Sequence, residues 1–372
     1  MRISIHNIFV SVPLAFLELT ASVIQQALSR PFSQRVSWFA VAILFVLQAA
    51  VLSNAAAAAD LSAYGIPTPP PITVFFESDR HLDGDGIHFR EQVCDPLDYT
   101  IIGAVQATPG MLRQLFIGGY KSNNPVHKYA NFGELAAAAQ SQSTDKKVVV
   151  FVHGCCTNFP LATAQAASLA EYTGATVLMY DWGSPLISYG GSLLTYPRSQ
   201  ERFNRFMLDV AKAFIDQRVS VVGFSMGNQL LDNFLLQYKP SDVGRQFDQI
   251  IFSRADMDAI AFRTHMARVT AHAKHTFIYS SNNDSQLIIS DALRAVASPS
   301  QHGKRLGDTR SNVRSEDTLT VLDVSPLKMN HSIPYEVIAE FLASDGEIPR
   351  SATHEYATLE DGVLKVSDKH SP

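Results

Sequence analysis

A Gly-x-Ser-x-Gly pattern, GFSMG around Ser225, stands between the apolar run VSVV and the amphipathic run MGNQLLDNFLLQY. In α/β enzymes this pattern forms a tight strand-to-helix turn that raises a serine hydroxyl above the sheet. Glycines at 223 and 227 remove the Cβ atoms that would collide with neighbouring backbone, and a helix N-terminus favours developing negative charge. The pattern predicts Ser225 as a nucleophile with Gly223 and Gly227 as motif glycines, the alternative being an ordinary βα turn.

A serine nucleophile needs a base to accept its proton and an acid to orient that base. His331 lies in a loop after the last apolar run, LTVLDVSP, and before a terminal helical run, IPYEVIAEFL, so it is the predicted base. His153 is the rival, although its place in an HG turn suits a structural role. The remaining candidates lie on or after a predicted helix and are expected at the surface: His265, His272 and His275.

Two apolar runs between the serine and the histidine end in aspartates, as the order Ser, Asp, His requires. Asp284 ends HTFIYSSNND, whereas Asp256 and Asp258 end FDQIIFSRADMD one run earlier. Asp284 is the preferred acid because its strand is the nearer neighbour of the His331 loop in a sequentially built sheet. Asp256 stays the alternative acid, and both earlier aspartates also suit the N-terminus of the helix that follows.

The run VVVFV ends in His153-Gly154 and continues into Cys155-Cys156. A turn at Gly154 would aim the following N–H at the nucleophile, so the backbone N–H groups of Cys155 and Met226 are the predicted oxyanion donors. The two cysteines also raise a metal or redox interpretation. No C-x-x-C or spaced histidine pair accompanies them, so we expect no metal and a packing role for their side chains.

Strand-like and helix-like runs alternate around these residues. The buried strand candidates include KKVVVFVHG, ATVLMYDWG, VSVVGFSMG, FDQIIFSRAD, HTFIYSSNND and LTVLDVSP, after two opening strands, ITVFFES and YTIIGAVQ. Helical periods cover residues 161–172, 200–217, 226–238 and 259–272. This alternation predicts an α/β fold with a mostly parallel, doubly wound sheet and helices on both faces, and ligands bind at the carboxyl ends of such strands.

Composition narrows the class of protein. The chain has 372 residues, 46% hydrophobic and 17% charged, with 30 Lys and Arg against 35 Asp and Glu, a net charge of −5. This apolar content excludes general disorder, and the mild acidity without basic runs argues against nucleic acid as a partner. Three cysteines cannot form a disulfide scaffold in so long a chain.

The ends of the chain differ from its centre. Residues 1–59 contain an apolar run over 36–52, basic flanks at Arg30 and Arg35, and an alanine-rich end typical of a signal peptide cut after Ala59. A retained membrane anchor over 36–59 is the alternative, and either predicts export to the periplasm or the cell exterior. A proline-rich tether (60–71) precedes the main domain (72–343), and a polar tail (344–372) offers GVLKV as an extra strand.

Several stretches together resemble the bacterial α/β-hydrolase family catalogued as domain of unknown function 900, which is related to lipases and esterases. They are VFFESDR, VVVFVHGCCTNF, VLMYDWGS, YPRSQERF, VVGFSMGNQLL, IIFSRADMDAIAF, YSSNNDSQLIIS and RLGD. The resemblance implies an α/β-hydrolase fold and a Ser225, Asp284, His331 triad. The chain departs from it at HGCC, where relatives tend to have HGY or HGF followed by Asn.

Two classes of function follow as hypotheses. The first is a serine hydrolase of carboxylic esters or lipids that needs no cofactor, or an acyltransferase on the same triad. The second is a non-catalytic envelope protein that uses the fold for binding or scaffolding. The aromatic and apolar segment 184–198 favours an acyl or aryl substrate group, either as a mobile lid or as a fixed wall.

Overall fold

The computed structural model describes residues 70–93, 100–109, 120–121, 124–143, 146–186, 188–297, 303–359 and 361–369, all within the compact unit Asp60–Pro372. The predicted leader and most of the predicted tether lie outside these ranges. Among the residues described, none of the helices is both long and apolar enough to cross a bilayer.

The elements alternate along the chain as the sequence predicts. The strands are β1 (Ile72–Ser78), β2 (Arg80–Leu82), β3 (Phe89–Val93), β4 (Ile101–Pro109), β5 (Tyr120–Lys121), β6 (His127–Lys128), β7 (Lys147–Val152), β8 (Thr176–Asp181), β9 (Arg218–Phe224), β10 (Phe247–Ser253), β11 (Ala273–Ser280), β12 (Leu319–Asp323), β13 (His354–Thr358) and β14 (Leu364–Asp368). The helices are α1 (Phe132–Gln142), α2 (Phe159–Thr173), α3 (Tyr189–Ala213), α4 (Gly227–Gln237), α5 (Pro240–Val243), α6 (Ala259–Thr270), α7 (Ser285–Ala297) and α8 (Tyr335–Ala343).

One large sheet organises the described residues. Its strand order is β13-β14-β12-β11-β10-β9-β7-β8-β1-β4-β5, with β6 also paired to β4, while β2 and β3 form a separate pair. The central strands from β1 through β8, β7, β9, β10, β11 and β12 to β14 run parallel, and the antiparallel pairs lie at the two ends. All the parallel strands therefore present their carboxyl ends to one edge.

The two faces of the sheet carry separate apolar cores. Along β7 the side chains alternate, so that Val148 and Val150 join one core while Val149 and Phe151 join the other. Helices α1, α3, α4 and α6 cover the first face, and α2 and α8 cover the second. Burial on both faces explains why these strands are continuous apolar runs without polar alternation.

Two segments extend beyond their predicted elements. Helix α3 begins at Tyr189, so most of segment 184–198, expected as an inserted loop, forms its first turns. The predicted polar tail contributes β13 and β14 to the sheet, with β14 parallel to β12, so the sheet continues past the predicted domain boundary at 343. The last three residues of the run GVLKV, Leu364 to Val366, lie in β14, which continues to Asp368.

Candidate active site

Ser225 lies at the carboxyl end of β9, directly before α4. Its φ is 50°, in the left-handed region that disfavours residues with a Cβ atom, and its side chain is almost fully buried. The Ser225 N–H donates to the carbonyl of Ser253 on the next strand at 3.0 Å, which holds the turn in place. Backbone strain of this kind persists only where the surroundings impose it, and it is concentrated at functional sites.

The two motif glycines make this turn sterically feasible. A Cβ atom at Gly223 would lie 2.2 Å from Oδ1 of Asn228, and one at Gly227 would lie 2.3 Å from the carbonyl oxygen of His153. Both distances are far below van der Waals contact, so any larger residue would push α4 or the β7 turn away from the serine.

His331 connects Ser225 to Asp284. The Ser225 hydroxyl lies 2.9 Å from Nε2 of His331, and Nδ1 of the same ring lies 2.7 and 2.8 Å from the two carboxylate oxygens of Asp284. With Nδ1–H donating to the carboxylate, Nε2 is left to accept the serine proton. The structure thus brings together the three residues that sequence reasoning preferred.

Neighbouring loops fix the positions of the acid and the histidine. Asp284 follows β11 and precedes α7, where its Oδ1 accepts from the N–H of Leu287 at 3.0 Å. Asn330 Oδ1 accepts from both the backbone N–H and the hydroxyl of Ser285 at 2.9 Å, which fastens the histidine loop to the start of α7. The ring of Phe224 packs 5.0 Å from the ring of His331. Asn330 was not predicted as a site residue from the sequence, although its position directly before His331 could have indicated a role in holding the histidine loop.

Opposing effects act on the Asp284 carboxyl. Burial alone would raise its pKa, but the charge and hydrogen bond of His331, the Leu287 N–H and the Arg254 guanidinium together bring the pKa below its usual value. Arg254 is itself fully buried, and burial lowers its pKa to about 10. Asp284 is therefore ionised at neutral pH, as an acid that orients an imidazole must be.

Asp256, the alternative acid, has different partners. Its carboxylate accepts hydrogen bonds from the Tyr189 hydroxyl at 2.8 Å and from the Ser290 hydroxyl at 2.6 Å. Its backbone N–H donates to the Ser225 carbonyl at 3.1 Å, so it borders the nucleophile without bonding to His331. Asp258 caps α6 by accepting from the N–H groups of Ile260 and Ala261, as its position suggested.

The turn after β7 lies against the nucleophile. A Cβ atom at Gly154 would come within 2.8 Å of the Ser225 Cβ, so only glycine allows this approach. Among the described residues, no backbone carbonyl accepts a hydrogen bond from the N–H of Cys155 or of Met226. Neither predicted oxyanion donor is therefore used in backbone pairing.

The other histidines have structural surroundings. His153 is fully buried, stacks on Trp182 with ring centroids 5.5 Å apart, and places Nε2 3.0 Å from Asp181. His265 is half-buried beside Asp232 at 3.1 Å. His272, expected at the surface, is instead fully buried because it closes the turn between α6 and β11, and its Nε2 contacts the Leu235 carbonyl.

The cysteines and acidic residues do not form a metal centre in the described ranges, where no group of three or more His, Cys, Asp and Glu side chains could hold an ion. Cys155 and Cys156 are both free thiols and partly buried. Burial and the neighbouring Cys156 thiol raise the pKa of Cys155 well above its ordinary value, the contact between the thiols being the larger cause. The same contact between the thiols lowers the pKa of Cys156, so the proton is held more tightly by Cys155 than by Cys156.

The doubly wound sheet and a serine turn at the carboxyl end of a central strand define the α/β-hydrolase class, as the sequence predicted. Residues 130–341 match the family described as alpha/beta hydrolase of unknown function (DUF900), and the chain belongs to this family. This match confirms the resemblance found in the sequence motifs. No curated protein matches the chain.

Solved structures of hydrolases are also similar to the chain. A predicted CIB-like hydrolase from Thermoplasma acidophilum has 13% identity and a TM-score of 0.33, covering 75% of this chain and 96% of its own. One of two fungal esterases from Rhizomucor miehei has 10% identity and a TM-score of 0.41, and the match covers 88% of this chain and 96% of the esterase. An arylesterase has 9% identity and a TM-score of 0.36, and the match covers 89% of this chain and 98% of the arylesterase.

Proposed function

We propose that this chain is a serine hydrolase of carboxylic esters that works through an acyl-enzyme on Ser225. One observation carries the proposal: His331 lies between the Ser225 hydroxyl at 2.9 Å and the Asp284 carboxylate at 2.7 Å. A nucleophile, a base and an orienting acid within hydrogen-bond reach are the parts that acyl transfer requires.

The acylation step follows from this geometry. The Ser225 oxygen attacks the ester carbonyl carbon while its proton passes to Nε2 of His331, and Asp284 stabilises the imidazolium that forms. The carbonyl oxygen becomes an oxyanion, and we expect the backbone N–H groups of Cys155 and Met226 to donate to it. When the intermediate collapses, the bond to the leaving alcohol breaks and His331 returns the proton to that alcohol.

Hydrolysis of the acyl-enzyme repeats the sequence with water. His331 accepts a proton from water as its oxygen attacks the acyl carbon, and the second intermediate releases a carboxylic acid and restores the Ser225 hydroxyl. Each round consumes one ester and one water and yields one acid and one alcohol, with no cofactor. An alcohol in place of water would give acyl transfer on the same residues.

The substrate class follows from the neighbouring surface. Tyr189 and Leu193, at the start of α3, are partly buried and pack against the apolar core that also contains Met226. This wall favours an acyl or aryl group beside the nucleophile rather than a sugar. We therefore expect small esters, or lipids with a compact acyl chain, as substrates.

The test is covalent labelling and turnover in the same samples. A fluorophosphonate probe should phosphonylate Ser225, located by mass spectrometry of the labelled peptide, and p-nitrophenyl esters from acetate to palmitate should be hydrolysed. Ser225→Ala should lose labelling and lower kcat by about 10⁴-fold or more. Ser220→Ala, on the same strand, is the matched control and should retain both. A folded wild-type protein without labelling or turnover would leave the fold as a binding module.

A further inference from the structure

A buried charged network lies beneath the turn that carries the Cys155 N–H. Arg80 and Asp181 are both almost completely buried, and Nε of Arg80 lies 3.0 Å from each carboxylate oxygen of Asp181. The Ser78 hydroxyl donates to the same carboxylate at 2.5 Å, and Nε2 of His153 lies 3.0 Å from it. Three side chains, those of Ser78, Arg80 and His153, thus meet at the Asp181 carboxylate.

Arg80 also bonds to the backbone of two segments that border the site. Its Nη2 donates to the carbonyl of Thr157 at 2.7 Å and to the carbonyl of Ser184 at 2.9 Å. Trp182 adds a third contact, because its indole N–H donates to the carbonyl of His153 at 2.7 Å. The turn from His153 to Thr157 is therefore fastened at both ends to the segment that begins at Asp181.

This turn needs such fastening. Cys156 has a φ of 57°, a left-handed conformation that a residue with a side chain adopts only when its surroundings impose it. The preceding residue, Cys155, carries an N–H that donates to no backbone carbonyl among the described residues. If the turn relaxed, the direction of that N–H would change.

A gain in folding stability does not explain the buried network of Arg80 and Asp181. Removing an arginine and a carboxylate from water is expensive, and apolar side chains of similar volume often stabilise a core equally well. The network instead provides directional bonds to particular carbonyl groups, which apolar packing cannot supply. Burial raises the pKa of Asp181, yet Arg80 and His153 outweigh it and lower that pKa to about 2, so the carboxylate stays charged.

We propose that Arg80 and Asp181 are positioning residues that hold the Cys155 N–H where the oxyanion forms, an inference that rests on the proposed hydrolase function. They touch neither the substrate nor the reacting atoms. Their loss should therefore weaken binding of the transition state while leaving ground-state binding of the ester nearly unchanged.

The experiment compares Arg80→Lys with wild type, because lysine keeps the charge but cannot bond to Asp181 and to both carbonyl groups in the same planar geometry. Steady-state kinetics with p-nitrophenyl butyrate should show kcat reduced by about 10- to 100-fold, with KM within about 2-fold. An alkyl trifluoromethyl ketone forms a hemiketal with Ser225 that carries an oxyanion. Its inhibition constant should rise by the same factor.

Two controls separate positioning from folding. Arg218→Lys alters an arginine–carboxylate pair with Asp248 at the opposite end of β9 and should leave kcat and the ketone constant unchanged. Ser78→Ala removes one hydrogen bond to Asp181 and retains the ion pair, so it serves if Arg80→Lys does not fold. It should lower kcat in the same direction by a smaller factor.

The outcomes are distinct. An active, folded Arg80→Lys protein with wild-type ketone affinity, or with a raised KM and an unchanged kcat, would overturn the positioning role alone. A wild-type protein that neither hydrolyses esters nor binds the ketone would overturn the hydrolase function and, with it, the positioning role.

Discussion

Two buried carboxylates, Asp284 and Asp256, follow adjacent parallel strands at the edge where Ser225 stands. Only Asp284 contacts His331, at 2.7 Å, whereas Asp256 is bonded to Tyr189 and Ser290. The strand end that carries Asp284 faces the histidine loop, whereas the strand end that carries Asp256 faces the start of α3 and α7. Because their partners differ, we expect the two Asp→Asn substitutions to lower kcat by different factors.

Asp284→Asn should lower kcat for p-nitrophenyl butyrate by about 10⁴-fold, because an amide no longer selects the tautomer with a free Nε2. Asp256→Asn is the matched control. It keeps the size of the side chain and should change kcat by less than about 10-fold, since Asp256 bonds to Tyr189 and Ser290 and not to His331. Equal losses in the two variants, or a larger loss for Asp256→Asn, would contradict the assignment of the acid.

A second prediction concerns the contact between Gly154 and the nucleophile. A methyl group there would lie 2.8 Å from the Ser225 Cβ and 3.2 Å from the Phe224 ring, so the turn must shift away from the nucleophile. Gly154→Ala should fold and lose about 10- to 100-fold in kcat. Gly84→Ala, where a Cβ atom would meet nothing within 4 Å, should match wild type. Wild-type kinetics for Gly154→Ala would show that this contact is unimportant.

At the level of helices and strands, the sequence predicts the parallel strands well because burial on both faces leaves continuous apolar runs. Helix α1 was not predicted, since its alanine-rich sequence FGELAAAAQSQ shows little contrast between its faces. Helix α7 was not predicted either, although SQLIISDALRAVA has helical spacing. The contact between Arg80 and Asp181 spans 101 residues, and no local pattern encodes a pairing over that distance.

The contacts at the start of α3 favour a wall over a lid for segment 184–198. The Tyr189 hydroxyl bonds to Asp256 and lies 2.7 Å from the Ser290 hydroxyl, and the Ser184 and Ser192 hydroxyls meet at 3.0 Å. Because these bonds join the segment to two other elements, we expect it to act as a fixed wall. Substrates would then enter without a rearrangement at a lipid surface.

A fixed wall predicts no interfacial activation. The hydrolysis rate of tributyrin should saturate with dissolved substrate and show no rise when droplets form. Tyr189→Phe removes the hydroxyl that contacts Asp256 and Ser290, which loosens the wall, and should raise KM by about 2- to 10-fold. Tyr172→Phe, about half exposed on another helix, is the control. A sharp rise in rate at the solubility limit would instead identify a mobile lid.

Strand β14 shows how the end of the chain joins the sheet. Val366 is fully buried in the core beside α8, whereas its neighbour Lys365 points to solvent from the other face. Val366→Ala should lower the free energy of unfolding by about 2 kcal/mol through lost burial and an internal cavity. Lys365→Ala should change it by less than about 0.5 kcal/mol. Urea denaturation measures both, and equal effects would mean that β14 does not contribute to the core.

For the molecule as a whole, the buried acidic groups at the strand ends behave in two opposite ways. Asp181 and Asp284 are held ionised by cationic partners, with pKa values below their usual range. Burial is the main cause that raises the pKa of Glu77 to about 8 and that of Asp79 to about 7, aided in the first case by Asp79. The same sheet thus contains carboxyl groups that favour the charged form and others that favour the protonated form.

This division predicts how stability changes with pH. In the unfolded chain Glu77 and Asp79 lose their protons near pH 4, while the folded protein retains them up to about pH 7 to 8. Between these limits the native state binds more protons, so the free energy of unfolding must fall as pH rises. Asp181 and Asp284 contribute the opposite slope only in acid, below about pH 4.

Urea midpoints measured from pH 5.5 to 9 should therefore decline, and Glu77→Gln, which mimics the protonated form, should flatten that decline. A wild-type midpoint that is constant or rises over this range, with no difference from Glu77→Gln, would show that Glu77 is ionised in the folded protein.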